Sequence, residues 1–322
     1  MKAIVIEQFG GPEVLQYKEV ATPKPGKHEV LIKVEKTSVN YADIKNRTGK
    51  KSTGNFPIIL GLDLVGIIDE LGEGVTDLKV GQRVIAFPRT GSYAEYAVAS
   101  EQLTFPIPDE IGLRLAAASP IVAFLSYMLL KDVGRMMEGE TVLVHSASGG
   151  VGTTAIQMAK LLGASKVIGT VGSPAKFEVA RNAGADDVFT YDNFSANVLE
   201  LTDGVGVNII LDSMAGKVSE ENMKCLAEYG RLVHFGNSSG AVGNFKTNEL
   251  HNSCRSVLGF SLGNTRKKRP YLLKEVSDQV IKFLASGELN IVIGAEFTLS
   301  DAADAHRLIE KRQHTGKILL HV

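Results

Sequence analysis

An α/β fold in two parts, a partly open β-barrel followed by a doubly wound parallel sheet, is what this 322-residue sequence predicts. The main reason is a change of texture near residue 122. Before it, short β-rich runs are punctuated by glycine and proline; after it, apolar strands alternate with helical periodicity. With 44% hydrophobic and 22% charged residues, the chain has enough apolar surface to bury a core in each part.

In the first part the strand candidates are residues 3–7, 29–36, 64–71, 83–87 and 94–99. The longest uncharged run, residues 115–130, is 16 residues long and contains Pro120, Ser126 and Tyr127. That is short of a membrane span, and it reads as a buried domain junction entering a helix. The second part offers strands at 141–145, 166–171, 187–190, 207–212, 231–235 and 256–261. A helical stretch over 271–286, a helix over 300–311 and a strand over 317–322 come after them, and residues 266–269 read as a solvated basic loop.

Composition removes several function classes. A formal net charge of −1 gives no global field for nucleic acid or an anionic membrane. The opening MKAIVIEQFG lacks an apolar h-region and reads as a first strand, not a signal peptide. Two cysteines, Cys225 and Cys254, supply neither a disulfide framework nor a four-cysteine zinc site, which fits a reducing, cytoplasmic setting.

The strongest motif is TVLVHSASGGVGTTAIQMAKLLG. An apolar strand ends at His145 and Ser146, and Ala147, Gly149 and Gly152 then hold the three positions of the G-x-G-x-x-G fingerprint. Small residues there let the backbone turn sharply, approach a pyrophosphate and dock the following helix, which Gly163 stops. His145 reads as a strand-end residue hydrogen-bonded locally. An NAD-specific sheet carries an acid about 20 residues further on, at the adenosine ribose. Here that place is Gly172, in TVGSPAK, so nothing repels a 2′-phosphate. Ser173 reads as an N-cap with Pro174 at the first helical position, and Lys176 adds a cation. The competing reading, a lysine on a solvated helix face, has no bearing on a cofactor; the combination points to NADPH.

FGGPEVL at residues 9–15, the spaced glycines of residues 61–84, the SGGVG turn, TVGSPAK, HFGNSSG at residues 234–240 and the late Gly316-Lys317 together carry a full-length resemblance. The chain resembles the zinc-independent quinone oxidoreductase (zeta-crystallin-like) branch of the medium-chain dehydrogenase/reductase family. The resemblance implies a GroES-like β-barrel catalytic domain of residues 1–122 and 265–322. It implies a Rossmann NADP(H)-binding domain of residues 123–264, an active site in the cleft between them, and a homodimer through the Rossmann sheet edge. It also places Lys176 and Tyr191 at the 2′-phosphate, with Ser146 beside Gly149, Gly150, Val151 and Gly152 at the pyrophosphate. Gly172 and Ser173, the segment Phe235, Gly236 and Asn237 after a strand end, and Leu262 and Lys317 complete the implied cofactor site. Plain packing or surface roles compete for Tyr191, Phe235 and Lys317. One departure is Leu125, where the family's G-L-T-A-Y segment has threonine.

Zinc-dependent members of the wider family use a cysteine and a Gly-His-Glu where this chain has Asn40 and Gly61-Leu62-Asp63. Asparagine and leucine are poor zinc ligands, and without a Lewis acid a quinone or activated enone is a better hydride acceptor than an alcohol is a donor. Asn40 and Tyr41 are the candidate donors to a developing oxyanion. Asp43 and Arg47 hold the loop or gate the cleft, and Lys45, where relatives often carry tyrosine, either assists the oxyanion or points to water. N-Y-x-D also reads as a helix cap. The expectation is a metal-free NADPH:quinone oxidoreductase. Enone reduction, and a weakly catalytic nucleotide-binding redox sensor or structural protein, stand as alternatives.

Overall fold

The computed structural model describes residues 1–51 and 54–322. The chain divides into two compact units, Met1–Ile121 with Arg266–Val322, and Val122–Thr265.

In the first unit, β1 (Lys2–Ile6), β2 (Gln16–Glu19) and β4 (Ile58–Ile59) form a small sheet in the order β2-β1-β4. The larger sheet is organised by β3 (Glu29–Val39), an eleven-residue strand. Its first half pairs with β7 (Tyr96–Ser100), and its last four residues pair antiparallel with a strand from the far end of the chain, β16 (Lys317–His321). β5 (Leu64–Leu71) runs along its other side, followed by β6 (Arg83–Ala86) and β8 (Thr104–Pro106), while β15 (Ile293–Thr298) lies outside β16. Alternation puts Val30, Ile32 and Val34 into a core with Leu64, Ile68 and Val84. A second core gathers Ile4, Ile6, Val39 and Ile44 with Ala302, Ala305 and Ile309 of the helix Ala302–Glu310. The tail is thus a structural member of this unit.

In the second unit, β9 (Thr141–Val144), β10 (Lys166–Val171), β11 (Asp187–Thr190), β12 (Val207–Asp212), β13 (Leu226–His234) and β14 (Ser256–Gly259) form one parallel sheet. Its order is β11-β10-β9-β12-β13-β14. The order reverses between β9 and β12, which makes the crevice beyond their carboxyl ends the switch point where such sheets bind ligands. Residues 115–130, expected to enter a helix, form the short helices Leu113–Ala118 and Pro120–Tyr127 and run on into a π-turn at Met128–Val133. Among the described residues no helix is long and apolar enough to cross a membrane.

Two local expectations are corrected. Residues 266–268 are helical, not a loop, within Leu262–Lys268; Lys267, Lys268 and Arg269 are exposed as expected, but Arg266 donates to the Leu62 carbonyl at 2.8 Å and lies 4.9 Å from the Phe87 ring centroid. A guanidinium that finds a carbonyl and an aromatic face turns inward. β13 also starts earlier than its apolar pattern suggests, because Leu226 already pairs with Val207 across a register shift.

Inside the second unit, Arg231 of β13 donates to Glu140 at 2.9 Å and to the Gly134 carbonyl at 2.9 Å, with both side chains about nine-tenths buried. Glu140→Ala should therefore destabilise this unit by about 3 to 5 kcal/mol, since it strands a buried guanidinium. Pairing it with Arg231→Met should recover much of the loss, and urea unfolding of both variants reads the difference.

Candidate active site

The turn after β9 is built on one left-handed residue. Ser146 has φ 54°, which directs its carbonyl back over the turn to accept the Gly149 N–H at 2.9 Å. A Cβ on Gly152 would lie 2.2 Å from that oxygen, so this position excludes every side chain. The helix Gly150–Leu161 then starts against the strand, Ala147 donates to the Thr170 carbonyl of β10, and Gly163, at φ 89°, follows the helix as expected. Ser146 bridges the switch point: its Oγ lies 3.1 Å from Ser213 Oγ, just beyond β12, and donates to Met214 Sδ. Asp212 orders that second turn by accepting the Met214 and Ala215 N–H groups and the Ser219 hydroxyl. His145 is buried between Thr170 and Asn222 at 2.6 Å each, and burial lowers its pKa, so it is a neutral internal brace.

Tyr191 stands at this turn also. Its hydroxyl accepts the Ser146 N–H at 2.9 Å, so it is turned to the glycine turn and keeps its own O–H as a donor. Gly172, just past β10, lies in open space: a Cβ placed on it would meet nothing within 4 Å. Ser173 has the extended backbone of an N-cap, but its side chain makes no capping bond. It leads into a three-residue 3-10 turn, Pro174–Lys176, and then the six-residue helix Phe177–Asn182. The expected helix-dipole site is therefore weak there: one short turn aligns too few peptide dipoles. Phe235, Gly236 and Asn237 follow β13, where Phe235 donates to the Asp212 carbonyl at 3.0 Å and Gly236 fits tightly against Ser213. Val151 lies in the first turn of the glycine-motif helix, and Leu262 is buried at the start of its own.

The first unit carries a second constellation, and strand register builds it. Ile318 is opposite Val39, so the residue before one strand pairing meets the residue after the other: Lys317 reaches Asn40. Leu64 is opposite Thr37, which likewise brings Asp63 to Ser38. Lys317 Nζ donates to Asn40 Oδ1 at 2.7 Å and to the Val39 carbonyl at 3.3 Å. Asn40 Nδ2 donates to Asp63 Oδ1 at 3.1 Å, and the same oxygen accepts the Ser38 hydroxyl at 2.7 Å. Lys317 is only 3% exposed and Asn40 7%; burial lowers the lysine pKa, against the pull of Asp63 and Asp43.

Asp43 caps the helix Tyr41–Arg47 by accepting the Asn40 N–H at 2.9 Å, and it accepts the Gly61 N–H at 3.3 Å. It is fully buried, and that desolvation pushes its carboxyl up to about 7. Arg47, expected at the loop or gate, is fully buried instead. It donates to the Gly10 carbonyl at 3.1 Å, pairs with Glu310 and meets His306, which in turn lies 3.2 Å from the Tyr93 hydroxyl. Its position corrects the gating expectation, since a guanidinium held from three sides joins the tail helix to this unit. Tyr41 is 45% exposed with the Lys45 ammonium 5.4 Å from its ring centroid, and burial, with Lys51 and Lys50 nearby, lowers the Lys45 pKa. Both ends of the Asn40 amide are engaged, Oδ1 by Lys317 and one Nδ2 hydrogen by Asp63.

Sequence reasoning missed Ser38, Asp63, Tyr93, His306 and Ser213 as members of these constellations. Two signals were there to be read: a charged Asp63 at the start of an apolar strand, and Ser213 at the strand end facing the fingerprint across the switch point.

A discontinuous β-rich unit that recruits the tail, and a 3-2-1-4-5-6 parallel sheet with a glycine turn at its switch point, define a two-unit α/β protein of the oxidoreductase type. Residues 26–109 match the alcohol dehydrogenase GroES-like domain, and residues 150–312 match the zinc-binding dehydrogenase family. The chain is 35% identical to a quinone oxidoreductase of Pseudomonas aeruginosa, with 99% of each chain covered. It is 34% identical to one from Rattus norvegicus, covering 99% of this chain and 97% of that one. The solved structure of Escherichia coli quinone oxidoreductase complexed with NADPH superposes with a TM-score of 0.92 at 32% identity, covering all of both chains. The chain belongs to the quinone oxidoreductases of the medium-chain dehydrogenase/reductase family.

The raised Asp43 carboxyl has a consequence for stability. A group whose folded pKa lies above its unfolded value stabilises fully below the unfolded pKa and loses that contribution as pH rises through the folded one. Stability should fall between about pH 4 and 7 by up to roughly 4 kcal/mol from this group. In Asp43→Asn that part of the slope should vanish, as urea unfolding across the range would register.

Proposed function

We propose that the protein is an NADPH-dependent reductase that passes hydride to quinones and uses no metal. The observation that carries the cofactor is the open end of β10: no carboxylate stands at Gly172, while Ser173 and Lys176 come after it. NADPH complexes of structural relatives from Escherichia coli and a mycobacterium, each with a TM-score of 0.92, support the same choice. The backbone of Gly149, Gly150, Val151 and Gly152 would hold the pyrophosphate at the helix start, with Ser146 fixing the turn. Lys176 and Ser173, joined by Tyr191, would take the 2′-phosphate, and Phe235, Gly236, Asn237 and Leu262 line the strand ends. Bound NADPH supplies the hydride; the protein holds the acceptor and stabilises the oxygen on which charge develops.

In this reading residues 1–122 and 265–322 form the catalytic domain and residues 123–264 the NADPH domain. Asn40 Nδ2 and the Tyr41 hydroxyl are the donors, with Lys45 over the Tyr41 ring adding positive charge. Quinone oxidoreductases among the relatives support the acceptor class. A zinc ion does not fit this donor set. The place of the cysteine ligand is an asparagine whose Oδ1 already faces an ammonium, and Leu62 offers no side-chain donor at all. β14 closes one edge of the parallel sheet, and a homodimer through that edge belongs to the same proposal.

Two measurements test it. NADPH oxidation against a panel of quinones and enones should be fastest with quinones and unchanged by chelators. Stoichiometric zinc, or chelator-sensitive activity restored by zinc, would sink the metal-free mechanism. Lys176→Ala should weaken NADPH binding by about 1.5 to 3 kcal/mol, the size of a hydrogen bond to a charged group, and leave NADH binding nearly unchanged. Equal loss for both cofactors would remove Lys176 from the 2′-phosphate.

A further inference from the structure

The two ends of a carboxamide are chemically opposite, and the neighbours of Asn40 are opposite too. An ammonium can only donate, and an ionised carboxylate can only accept. Lys317 Nζ lies 2.7 Å from Oδ1, and Asp63 Oδ1 lies 3.1 Å from Nδ2. Turning the amide over would set N–H against ammonium and C=O against carboxylate, losing two charge-assisted bonds and making two repulsions. Both charges sit inside the unit, with Lys317 3% and Asp63 0% exposed, so water does little to screen them.

We infer that Lys317 and Asp63 are positioning residues that lock the Asn40 amide in one orientation, so that an N–H and never the carbonyl is the end left for an acceptor oxygen. Among the described residues the second Nδ2 hydrogen is offered the Ser38 carbonyl and hydroxyl, each at 3.4 Å, which is long for a hydrogen bond. The ammonium on Oδ1 also polarises the amide and strengthens the remaining donor. Lys317 is thereby given a different task from the cofactor phosphate contact that the family resemblance implies. Two of its three donors already serve Asn40 and the Val39 carbonyl, and the register of β16 against β3 holds it there. The inference deepens the proposed function, because it presumes that an acceptor oxygen is met by Asn40.

Lys317→Met is the informative variant, since it keeps length and removes charge. With the intact protein, the kcat for quinone should fall roughly tenfold or more with KM little changed. The Kd for NADPH should stay within about twofold of wild type, read from the cofactor's own fluorescence in a chain with no tryptophan. Adding Asn40→Ala to Lys317→Met should cost nothing further, as expected when one residue acts through the other. Asp63→Asn should give the same pattern, and Lys317→Arg, which keeps the cation, should recover part of the rate. A large loss of NADPH affinity that spares NADH, or losses from Lys317 and Asn40 that multiply, would overturn the assignment. Should Lys317→Met fail to fold, Asp63→Asn and Lys317→Arg carry the same comparison. A second readout does not depend on turnover: the Asn40 side-chain amide resonances in nitrogen-15-labelled protein should move in Asp63→Asn and Lys317→Met. Unmoved resonances defeat the lock whatever the enzyme reduces. Moved resonances in a protein that reduces no quinone uphold the lock and defeat only the proposed function.

Discussion

An ammonium inside a protein has to be answered by oxygen atoms, and the architecture of the first unit depends on where Lys317 finds them. The last strand returns antiparallel beside the end of β3, and that pairing delivers the lysine to Asn40 and the Val39 carbonyl. Burial lowers the pKa of the amine, and Asp63 and Asp43 oppose that shift. The same carboxylates act on Arg266, which stacks on Phe87 and holds the Leu62 carbonyl. Two cations from the tail therefore stand near two carboxylates from the N-terminal stretch. Tail and barrel are held together by the hydrogen bonds of Lys317 and Arg266 as well as by the apolar contacts of Ala302, Ala305 and Ile309.

The second unit solves a different problem with almost no charge. Its turn depends on a single close approach, the Ser146 carbonyl occupying the space a Gly152 side chain would need. A left-handed serine costs backbone energy, and three bonds answer it: Gly149 N–H to its carbonyl, its own N–H to Tyr191, and its hydroxyl to Ser213. Those bonds reach across β11, β9 and β12, so the crevice between strands is shaped by hydroxyls while its floor is backbone. Backbone N–H groups and hydroxyls bind phosphate without fixing which nucleotide is bound. In the proposed function, discrimination then falls to the end of β10, where the short turn after Gly172 carries the Lys176 cation.

How much of this was legible in the sequence depended on whether the signal was local. The parallel strands were visible because each is a short apolar run, and four of the six were placed at or within one residue of their ends. The fingerprint was visible because Gly152 is required by a contact six residues away in the same turn. Ser173 misled because extended backbone before a proline announces a helix start, yet says nothing of how long the helix is. Members of the first-unit constellation could be named singly, but not as neighbours. Asn40, Asp63 and Lys317 are separated by more than 270 residues end to end, and only strand register makes them neighbours. Arg47 misled in the same way, because a cation in a catalytic-looking segment looks exposed until His306 and Glu310 arrive from the tail.

Register also bears on what chemistry such a barrel can support. A zinc ion polarises a substrate oxygen strongly enough to let an alcohol lose its proton, because a divalent charge binds the alkoxide directly. An amide polarised by an ammonium offers one hydrogen bond with a fraction of that pull. It cannot drive alcohol deprotonation, but a quinone does not ask for it, since the acceptor is already oxidised and its oxygen gains charge only as hydride arrives. What matters then is that the donor is fixed before the reaction starts, because a preorganised dipole costs no reorganisation in the transition state. An asparagine free to turn would lose that advantage in half of its orientations. In the proposed mechanism, a lysine from the far end of the chain therefore replaces the metal's strength with the constancy of one amide's direction.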